Sequence, residues 1–134
     1  MNLVSLRIIT ADIKRLLPYY EQITGGAVTL FTEDFAELKT RSCTLAIAST
    51  RTLALFGASD VARPSANHSV IIEFRVDDVD AEYRKLADLI GQSLVQKPTT
   101  MPWGNRSLLF RDPDGNLLNF FTKISAEALE KFDQ

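Results

Sequence analysis

The sequence predicts an α+β fold built from two similar βαβββ modules in tandem. A strand, a helix and a set of short strands occur once in each half of the 134-residue chain. The helix landmarks of the two halves also coincide, because Asp12 and Asp78 lie 66 positions apart and so do Gly25 and Gly91. The length suits a single domain that buries about two thirds of its unfolded surface.

The first module is predicted to span about residues 1–57. Branched apolar residues indicate a strand at 3–10, and the stretch 13–24 between the aspartate and glycine landmarks is typical of a capped helix. Pro18 lies inside this helix and is expected to kink it or shorten its regular part. Alternating apolar residues then predict an antiparallel set of strands at 27–31, 35–39, 44–49 and 52–56.

A connector at 58–68 lacks apolar periodicity, and the second module is predicted at about 69–124. It begins with a strand at 70–76 and a helix that ends at Ile90. The remaining predicted elements are strands at 94–97, 107–111 and 117–122, a turn at Asp112-Pro113-Asp114-Gly115, and an added C-terminal helix at 125–132.

Composition excludes several classes of function. The hydrophobic fraction is 46% and no apolar run is long enough for a membrane span. The net charge of −2, with scattered basic residues, gives no field for nucleic acid. Cys43 is the only cysteine, so neither an intrachain disulfide nor a cysteine-based zinc site can form. The N-terminus lacks the features of a secretory signal, and we expect a cytoplasmic protein.

Three segments carry a family resemblance: the opening LRIITADIKRLLPYYEQITGG, the junction IIEFRVDDVDAEYRKL and the closing PWGNRSLLFRDPDGNLLNFF. Together with the element order, they resemble the vicinal-oxygen-chelate superfamily of glyoxalases, bleomycin-resistance proteins and extradiol dioxygenases. The resemblance covers nearly the whole chain, and the closing segment is its most specific part. It implies a curled mixed sheet around a cleft, with the helices outside, and it makes a homodimer plausible.

In the metal-dependent members of this superfamily, ligands project from the first and last strand of each module. The matching positions here are Ser5, Leu55, Ile71 and Asn119, none of which is a usual ligand for a transition metal. We therefore expect no metal and no other cofactor. His68, the only histidine, is interpreted as a connector residue rather than a displaced ligand.

Strand alternation places Arg7, Glu73 and Arg75 on the side facing away from the helices. Three interpretations stay open, in decreasing order of preference. The side chains form an ion cluster, with Arg7 paired to Glu73. Alternatively, one of the arginines recognises an anion. In the third interpretation, Glu73 is a general base, which makes it the only catalytic candidate.

Trp103 lies in a loop that often borders the ligand cleft in this superfamily, and it is either a ligand contact or a lid on the core. Phe31, Phe35 and Phe110 are further candidates for the cleft wall. The full set of predicted ligand-binding residues is Arg7, Glu73, Arg75, Trp103, Arg106, Asn119 and Phe121.

The first functional hypothesis is therefore a metal-free protein that binds a small aromatic or amphipathic organic molecule. The second is a divergent lyase, isomerase or dioxygenase of the same superfamily, so the sequence leaves catalysis open. The third is a structural or regulatory domain whose cleft is filled by its own side chains. No phosphate-binding loop or nucleophile elbow points to other chemistry.

Overall fold

The computed structural model describes residues 1–57 and 60–124. The chain divides into two compact units, with the division between Ala66 and Asn67. Among the described residues, no helix has the length and apolar character needed to cross a membrane.

The described part of the first unit contains one α-helix, one 3₁₀ helix and a four-stranded mixed sheet. In the sheet order β1-β4-β3-β2, β1 runs parallel to β4 and the other neighbours are antiparallel. Its elements are β1 (Ser5–Thr10), α1 (Ile13–Thr24), β2 (Val28–Thr32), β3 (Phe35–Lys39) and β4 (Thr44–Ser49).

Helix α1 begins and ends where the sequence predicts. The Asp12 side chain accepts a hydrogen bond from the Arg15 backbone N–H, and Gly25 ends the helix in the left-handed conformation. Pro18 does not shorten the helix, which is continuous over 12 residues. Pro18 and Lys14, whose carbonyl lacks the usual N–H partner, are both exposed, so water can reach the unpaired carbonyl.

The predicted strand at 52–56 is wrong. Residues Thr50–Phe56 form a 3₁₀ helix, in which Leu53 alone is buried. The Ser49 side chain accepts from the Arg51 backbone N–H and caps this helix. The last strand of the first unit is therefore β4.

The second unit repeats the plan with the sheet order β5-β8-β7-β6, in which β5 runs parallel to β8. Both units thus show the predicted βαβββ order. The elements are β5 (Ile71–Arg75), α2 (Val79–Ile90), a short 3₁₀ turn (Gly91–Ser93), β6 (Leu94–Thr100), β7 (Asn105–Arg111) and β8 (Leu117–Lys123).

Each helix covers one face of its own sheet. The Asp78 side chain caps α2 by accepting from the Ala81 backbone N–H, as the sequence predicts. The predicted turn between β7 and β8 is also present, with Gly115 at φ 85°. In the part of the second unit that the structure describes, the buried apolar residues are Ile72, Val79, Leu86, Ile90, Leu108, Phe110, Leu118, Phe120 and Phe121.

Two predictions concern segments outside these elements. Residues 60–68 of the connector contain neither helix nor strand. The C-terminal helix predicted at 125–132 lies outside the described residues.

Candidate functional site

The face of the first sheet that points away from α1 carries one arginine and one glutamate in a single row. Arg7 on β1 lies opposite Ala46 on β4, and Ala46 lies opposite Glu37 on β3. Directly opposite residues share a face of a sheet. Ala46, which lies between the two charged residues, is only 3% exposed, so neighbouring side chains cover it. We call this surface the Arg7 face.

Aromatic rings surround the Arg7 guanidinium. Its carbon Cζ lies 5.1 Å from the ring centre of Phe35 and 6.0 Å from that of Phe56. Phe31 extends the group, because its ring centre lies 6.3 Å from that of Phe35. Phe31 and Phe56 are 54% and 58% exposed. The group is thus an accessible aromatic surface around a cation.

The Arg7 guanidinium has no ion-pair or hydrogen-bond partner among the residues that the structure describes. Arg7 as a residue is exposed, and its guanidinium carries five N–H donors. A planar guanidinium of this kind can take a carboxylate through two parallel hydrogen bonds while the rings contact an apolar body.

Phe56 reaches this face because the 3₁₀ helix holds it there. The Ser49 hydroxyl donates to Asp34 Oδ1 at 2.7 Å, and the Arg51 side chain binds the same oxygen. These hydrogen bonds, first that from Arg51 and then that from Ser49, hold the pKa of Asp34 below its ordinary value. The cluster fixes the start of the segment that ends at Phe56.

The corresponding face of the second sheet holds a carboxylate paired with an amide. Asn119 Nδ2 on β8 donates to Glu73 Oε2 on β5 at 2.8 Å. Glu73 is exposed, whereas Asn119 is only 8% exposed and its Oδ1 atom has no hydrogen-bond partner. We call this surface the Glu73 face. The predicted pairing of Glu73 with Arg7 joins different units and stays a prediction.

Other predicted site residues share the Glu73 face. Arg75 is exposed and lies opposite Phe121, which is 7% exposed. The buried Ser107 lies opposite Phe121 on the other side, and Lys123 occupies the next position of β8 on this face. This surface therefore carries more positive than negative side chains.

Trp103 and Arg106 have different surroundings. Trp103 is 57% exposed at the turn between β6 and β7. The Arg106 side chain binds Asp80 of α2 through two hydrogen bonds of 2.8 and 3.0 Å. Arg106 thus already has a carboxylate partner within its own unit.

The donor set expected for the superfamily's metal does not fit a four-ligand site. Leu55 lies on the 3₁₀ helix, not on a last strand, so its place in the match is wrong. Glu73 lies opposite Asn119 in the second sheet, and Arg7 lies opposite Ala46 in the first. Ala46 therefore occupies the position in the first unit that Asn119 occupies in the second. Ser5 and Ile71 occupy the other two positions. The side chains of Ala46 and Ile71 have no atom that can bind a metal, so two of the four positions lack a ligand.

The described residues also contain no group of three or more His, Cys, Asp and Glu side chains that could hold a metal. His68 is exposed, next to Asn67, whose side chain accepts from the Ser69 and Val70 backbone N–H groups. This turn explains the local conformation around His68 without a ligand.

The first unit also has an open pocket of about 430 Å³ between residues 2–4 and 40–44. It lies at the start of β1, away from the aromatic group around Arg7. The half-buried Cys43 lines it, and its thiol lies 3.6 Å from the Val4 carbonyl oxygen. Nothing in this contact distinguishes Cys43 from a structural thiol.

Three aromatic and acidic residues lie where the sequence did not place them, or have a role that the sequence did not indicate. Phe110, a candidate for the cleft wall, is fully buried against Phe120 beneath α2. Phe56 was missed because a strand was predicted there. Asp80, the partner of Arg106, is an acidic residue in the first turn of α2. An acidic residue stabilises a helix at this position, so the sequence gives no reason to expect a distant partner for it.

Comparison with known proteins gives the same fold and extends over most of the chain. The profile of the Glyoxalase/Bleomycin resistance protein/Dioxygenase superfamily matches residues 2–120. None of the curated proteins matches this chain in sequence.

Among solved structures, a family enzyme from Burkholderia phytofirmans PsJN is 18% identical, with a TM-score of 0.81 over 92% of this chain and 100% of its own. A glyoxalase-related enzyme from Fulvimarina pelagi is 19% identical, with a TM-score of 0.76 over 94% of each chain. A third protein, a glyoxalase/bleomycin resistance protein/dioxygenase from Nocardioides, is 18% identical, with a TM-score of 0.76 over 94% of this chain and 85% of its own. At these identities the likeness concerns the fold, while the profile match extends over nearly the whole sequence: the chain belongs to the Glyoxalase/Bleomycin resistance protein/Dioxygenase superfamily.

Proposed function

We propose that this protein binds a small aromatic or amphipathic organic ligand on the Arg7 face without a metal, and that the ligand carries a negative charge. The observation that supports this most is the guanidinium of Arg7, which lies among accessible phenylalanine rings.

The chemistry of this surface suits an aryl carboxylate. Arg7 contributes charge and directional N–H donors, and Phe31, Phe35 and Phe56 contribute apolar contact area. Aromatic pairs and charge-assisted hydrogen bonds each add about 1 kcal/mol or more to binding when water is excluded. Because the cation and the rings are adjacent, a single planar ligand can use both.

The metal-free part of the proposal is supported by the chemistry of the side chains. Neither Ala46 nor Ile71 can donate an electron pair, and a neutral Asn119 amide is a weak ligand for a transition metal. A charged ligand therefore has to be neutralised by the protein itself, which is the role proposed for Arg7.

The direct test compares 2-naphthoate with 2-naphthalenemethanol, which has the same rings and no charge. Isothermal titration calorimetry is expected to show tighter binding of the carboxylate, and Arg7→Gln should weaken it at least about tenfold, equivalent to 1.4 kcal/mol. Arg41→Gln removes an exposed arginine of the same unit and serves as the matched control. Equal binding by wild type and Arg7→Gln would contradict the proposal.

Metal content is tested separately, by elemental analysis of protein purified without chelators and then dialysed. We expect less than stoichiometric transition metal, with naphthoate binding unchanged by EDTA. A stoichiometric metal that is lost in Glu73→Ala would contradict the proposal that the protein binds its ligand without a metal. It would favour an enzyme instead. Turnover of a bound ligand that stops in Glu73→Gln while binding persists would likewise assign catalysis to Glu73.

We also propose that the protein forms a homodimer. β1 is an edge strand of its sheet, and Leu3 and Val4 just before it are 79% and 66% exposed. Edge strands with apolar neighbours are commonly covered by another chain. Light scattering coupled to gel filtration should give twice the chain mass of 15.0 kDa, and a monomer at high protein concentration would contradict the proposal.

A further inference from the structure

We propose that Glu37 determines which aromatic carboxylates bind to the Arg7 face, and that it favours those with an ammonium group at the opposite end of the ring system. Glu37 and Arg7 lie in one row of the first sheet, and their side chains do not pair with each other. This selectivity rests on the proposed function, because it requires a ligand carboxylate held by Arg7. It defines the ligand as an aromatic zwitterion.

Glu37 carries a carboxylate without a partner. The residue is half-buried, so part of its surface remains in contact with solvent. None of the hydrogen bonds and ion pairs among the described residues involves its side chain. A carboxylate that has lost part of its water and gained no donor makes folding less favourable. A ligand that brings a charged donor compensates this loss when it binds.

The Arg7 guanidinium does not supply that donor. Arg7 and Glu37 lie on either side of Ala46, two strand spacings apart, which corresponds to about 10 Å between their Cα atoms. The guanidinium carbon lies 5.1 Å from the ring centre of Phe35 instead. Phe35 is the neighbour of Glu37 on the same face of β3. The two opposite charges therefore stay separate, and each can meet its own group of a ligand.

The spacing of the two charges sets the size of the ligand. Ala46 is only 3% exposed, so a ligand lies over this row of side chains and not within it. A carboxylate above Arg7 and an ammonium above Glu37 are then about 10 Å apart. A naphthalene ring system substituted at both ends has a similar length. Phe31 and Phe56, which are 54% and 58% exposed, offer apolar contact to its rings.

Lys39 is the neighbouring charge that opposes a ligand ammonium. It is exposed, is the next residue after Glu37 on this face of β3, and has no ion pair within the described part of the chain. An exposed lysine is screened by water and salt, which weakens the repulsion. Lys39 also lies in another row, opposite Thr44, whereas Thr29 beside Glu37 adds no charge. A ligand that follows the row from Arg7 therefore meets the carboxylate.

The test compares three 2-naphthoates that differ only in the group at ring position 6: an aminomethyl, a hydroxymethyl or a second carboxylate group. Isothermal titration calorimetry near neutral pH should show that the aminomethyl ligand binds at least about fivefold more tightly than the hydroxymethyl ligand. The dicarboxylate should bind most weakly, because its second anion meets Glu37. Equal binding of the aminomethyl and hydroxymethyl ligands would overturn the inference. Tightest binding of the dicarboxylate would also overturn it and would assign the second contact to Lys39.

Variants connect this preference to the carboxylate. Glu37→Gln should bind the aminomethyl and hydroxymethyl ligands with similar Kd values, whereas Glu37→Asp, which keeps the charge on a shorter side chain, should retain part of the preference. Lys39→Met should increase the preference, because it removes the opposing charge. Glu21→Gln removes an exposed carboxylate from α1, on the other side of the sheet, and is the matched control. A full preference in Glu37→Gln would refute the inference.

The stability of the free protein gives a second readout. Because the Glu37 carboxylate has no partner, Glu37→Gln should leave the Tm within about 2 °C of the wild-type value. A fall of several degrees would show that the carboxylate stabilises the fold through a contact of its own, and it would contradict the proposed role in ligand selection.

The two proposals fail separately in this design. Binding of 2-naphthoate that depends on Arg7, together with equal affinities for the aminomethyl and hydroxymethyl ligands, rejects the role of Glu37 alone. Binding of the aminomethyl ligand that depends on Glu37 but survives Arg7→Gln rejects anion recognition at Arg7 and leaves Glu37 as a site for cations.

Discussion

Arg106 and Asp80 form a two-pronged ion pair that joins β7 to the first turn of α2. The two hydrogen bonds measure 2.8 and 3.0 Å, and Arg106 also donates to the Thr100 hydroxyl on β6 at 3.1 Å. The hydrogen bond from Arg106 is the main reason why the pKa of Asp80 lies below its ordinary value. One arginine thus joins the helix to two strands.

Asp80→Asn should therefore lower the Tm by a few degrees near neutral pH. The Tm of the variant should also change less than that of the wild type when the pH is lowered. A carboxyl group with a depressed folded pKa stabilises the protein above its unfolded pKa, and that contribution disappears as the pH falls through the folded pKa. The difference in Tm between wild type and variant should accordingly shrink as the pH falls below the ordinary carboxyl pKa of 3.8. Glu82→Gln removes another first-turn acid, and its contact with Lys85, at 3.9 Å, is long. If Asp80→Asn and Glu82→Gln lowered the Tm equally, the loss would come from the missing negative charge at the start of the helix and not from the ion pair with Arg106.

The helices were predictable because their boundaries depend on neighbouring residues. Asp12 and Asp78 each cap the helix that follows through a backbone N–H three positions along, and Gly25 adopts the left-handed conformation that ends α1. These signals act within one helical turn, so the sequence alone contains them. Strand alternation puts Arg7, Glu73 and Arg75 on the faces that the strand pairing also gives them. Asn119 was singled out by the family resemblance instead, and the roles of all four residues as ligand contacts stay predictions.

The failures involve contacts between distant parts of the chain. The pattern of residues 52–56 suits a strand as well as a helix, and the choice depends on Ser49 and Asp34, which are 15 positions apart. The partner of Arg106 is 26 positions away. Strand alternation likewise cannot show that Phe110 faces the core. It divides the residues of a strand between two faces but does not say which face the helix covers.

Ser49→Ala should loosen the 3₁₀ helix that carries Phe56. The hydroxyl of Ser49 is buried, caps the helix and donates to Asp34. Its removal is expected to cost about 1–2 kcal/mol in the free energy of unfolding and to weaken 2-naphthoate binding. Urea denaturation and calorimetry measure the two effects. Ser42→Ala, at an exposed position, is the control, and a Ser49→Ala protein with normal stability and normal binding would show that the cap does not position Phe56.

Phe56→Ala should weaken 2-naphthoate binding without a matching loss of stability. Phe56 is 58% exposed and within 6.0 Å of the Arg7 guanidinium carbon, so its ring is available to a ligand. The neighbouring Leu55 is 87% exposed and provides a control of similar hydrophobicity. We expect a roughly threefold to tenfold rise in Kd for Phe56→Ala, equivalent to about 1 kcal/mol, and no change for Leu55→Ala. Identical Kd values for the two variants would remove Phe56 from the site.

A comparison of Phe110→Ala with Phe31→Ala should distinguish a core residue from a residue of the proposed ligand surface. Phe110 is completely buried and its ring centre lies 5.1 Å from that of Phe120, so Phe110→Ala leaves a cavity and should cost about 3–5 kcal/mol of unfolding free energy. Phe31 is 54% exposed, and its truncation removes apolar area that water already reaches, so the cost should stay below about 1 kcal/mol. Urea denaturation measures both, and naphthoate titration of Phe31→Ala should show weaker binding. A stability loss at Phe31 as large as that at Phe110 would mean that Phe31 belongs to the packed interior and cannot serve as a wall for the ligand.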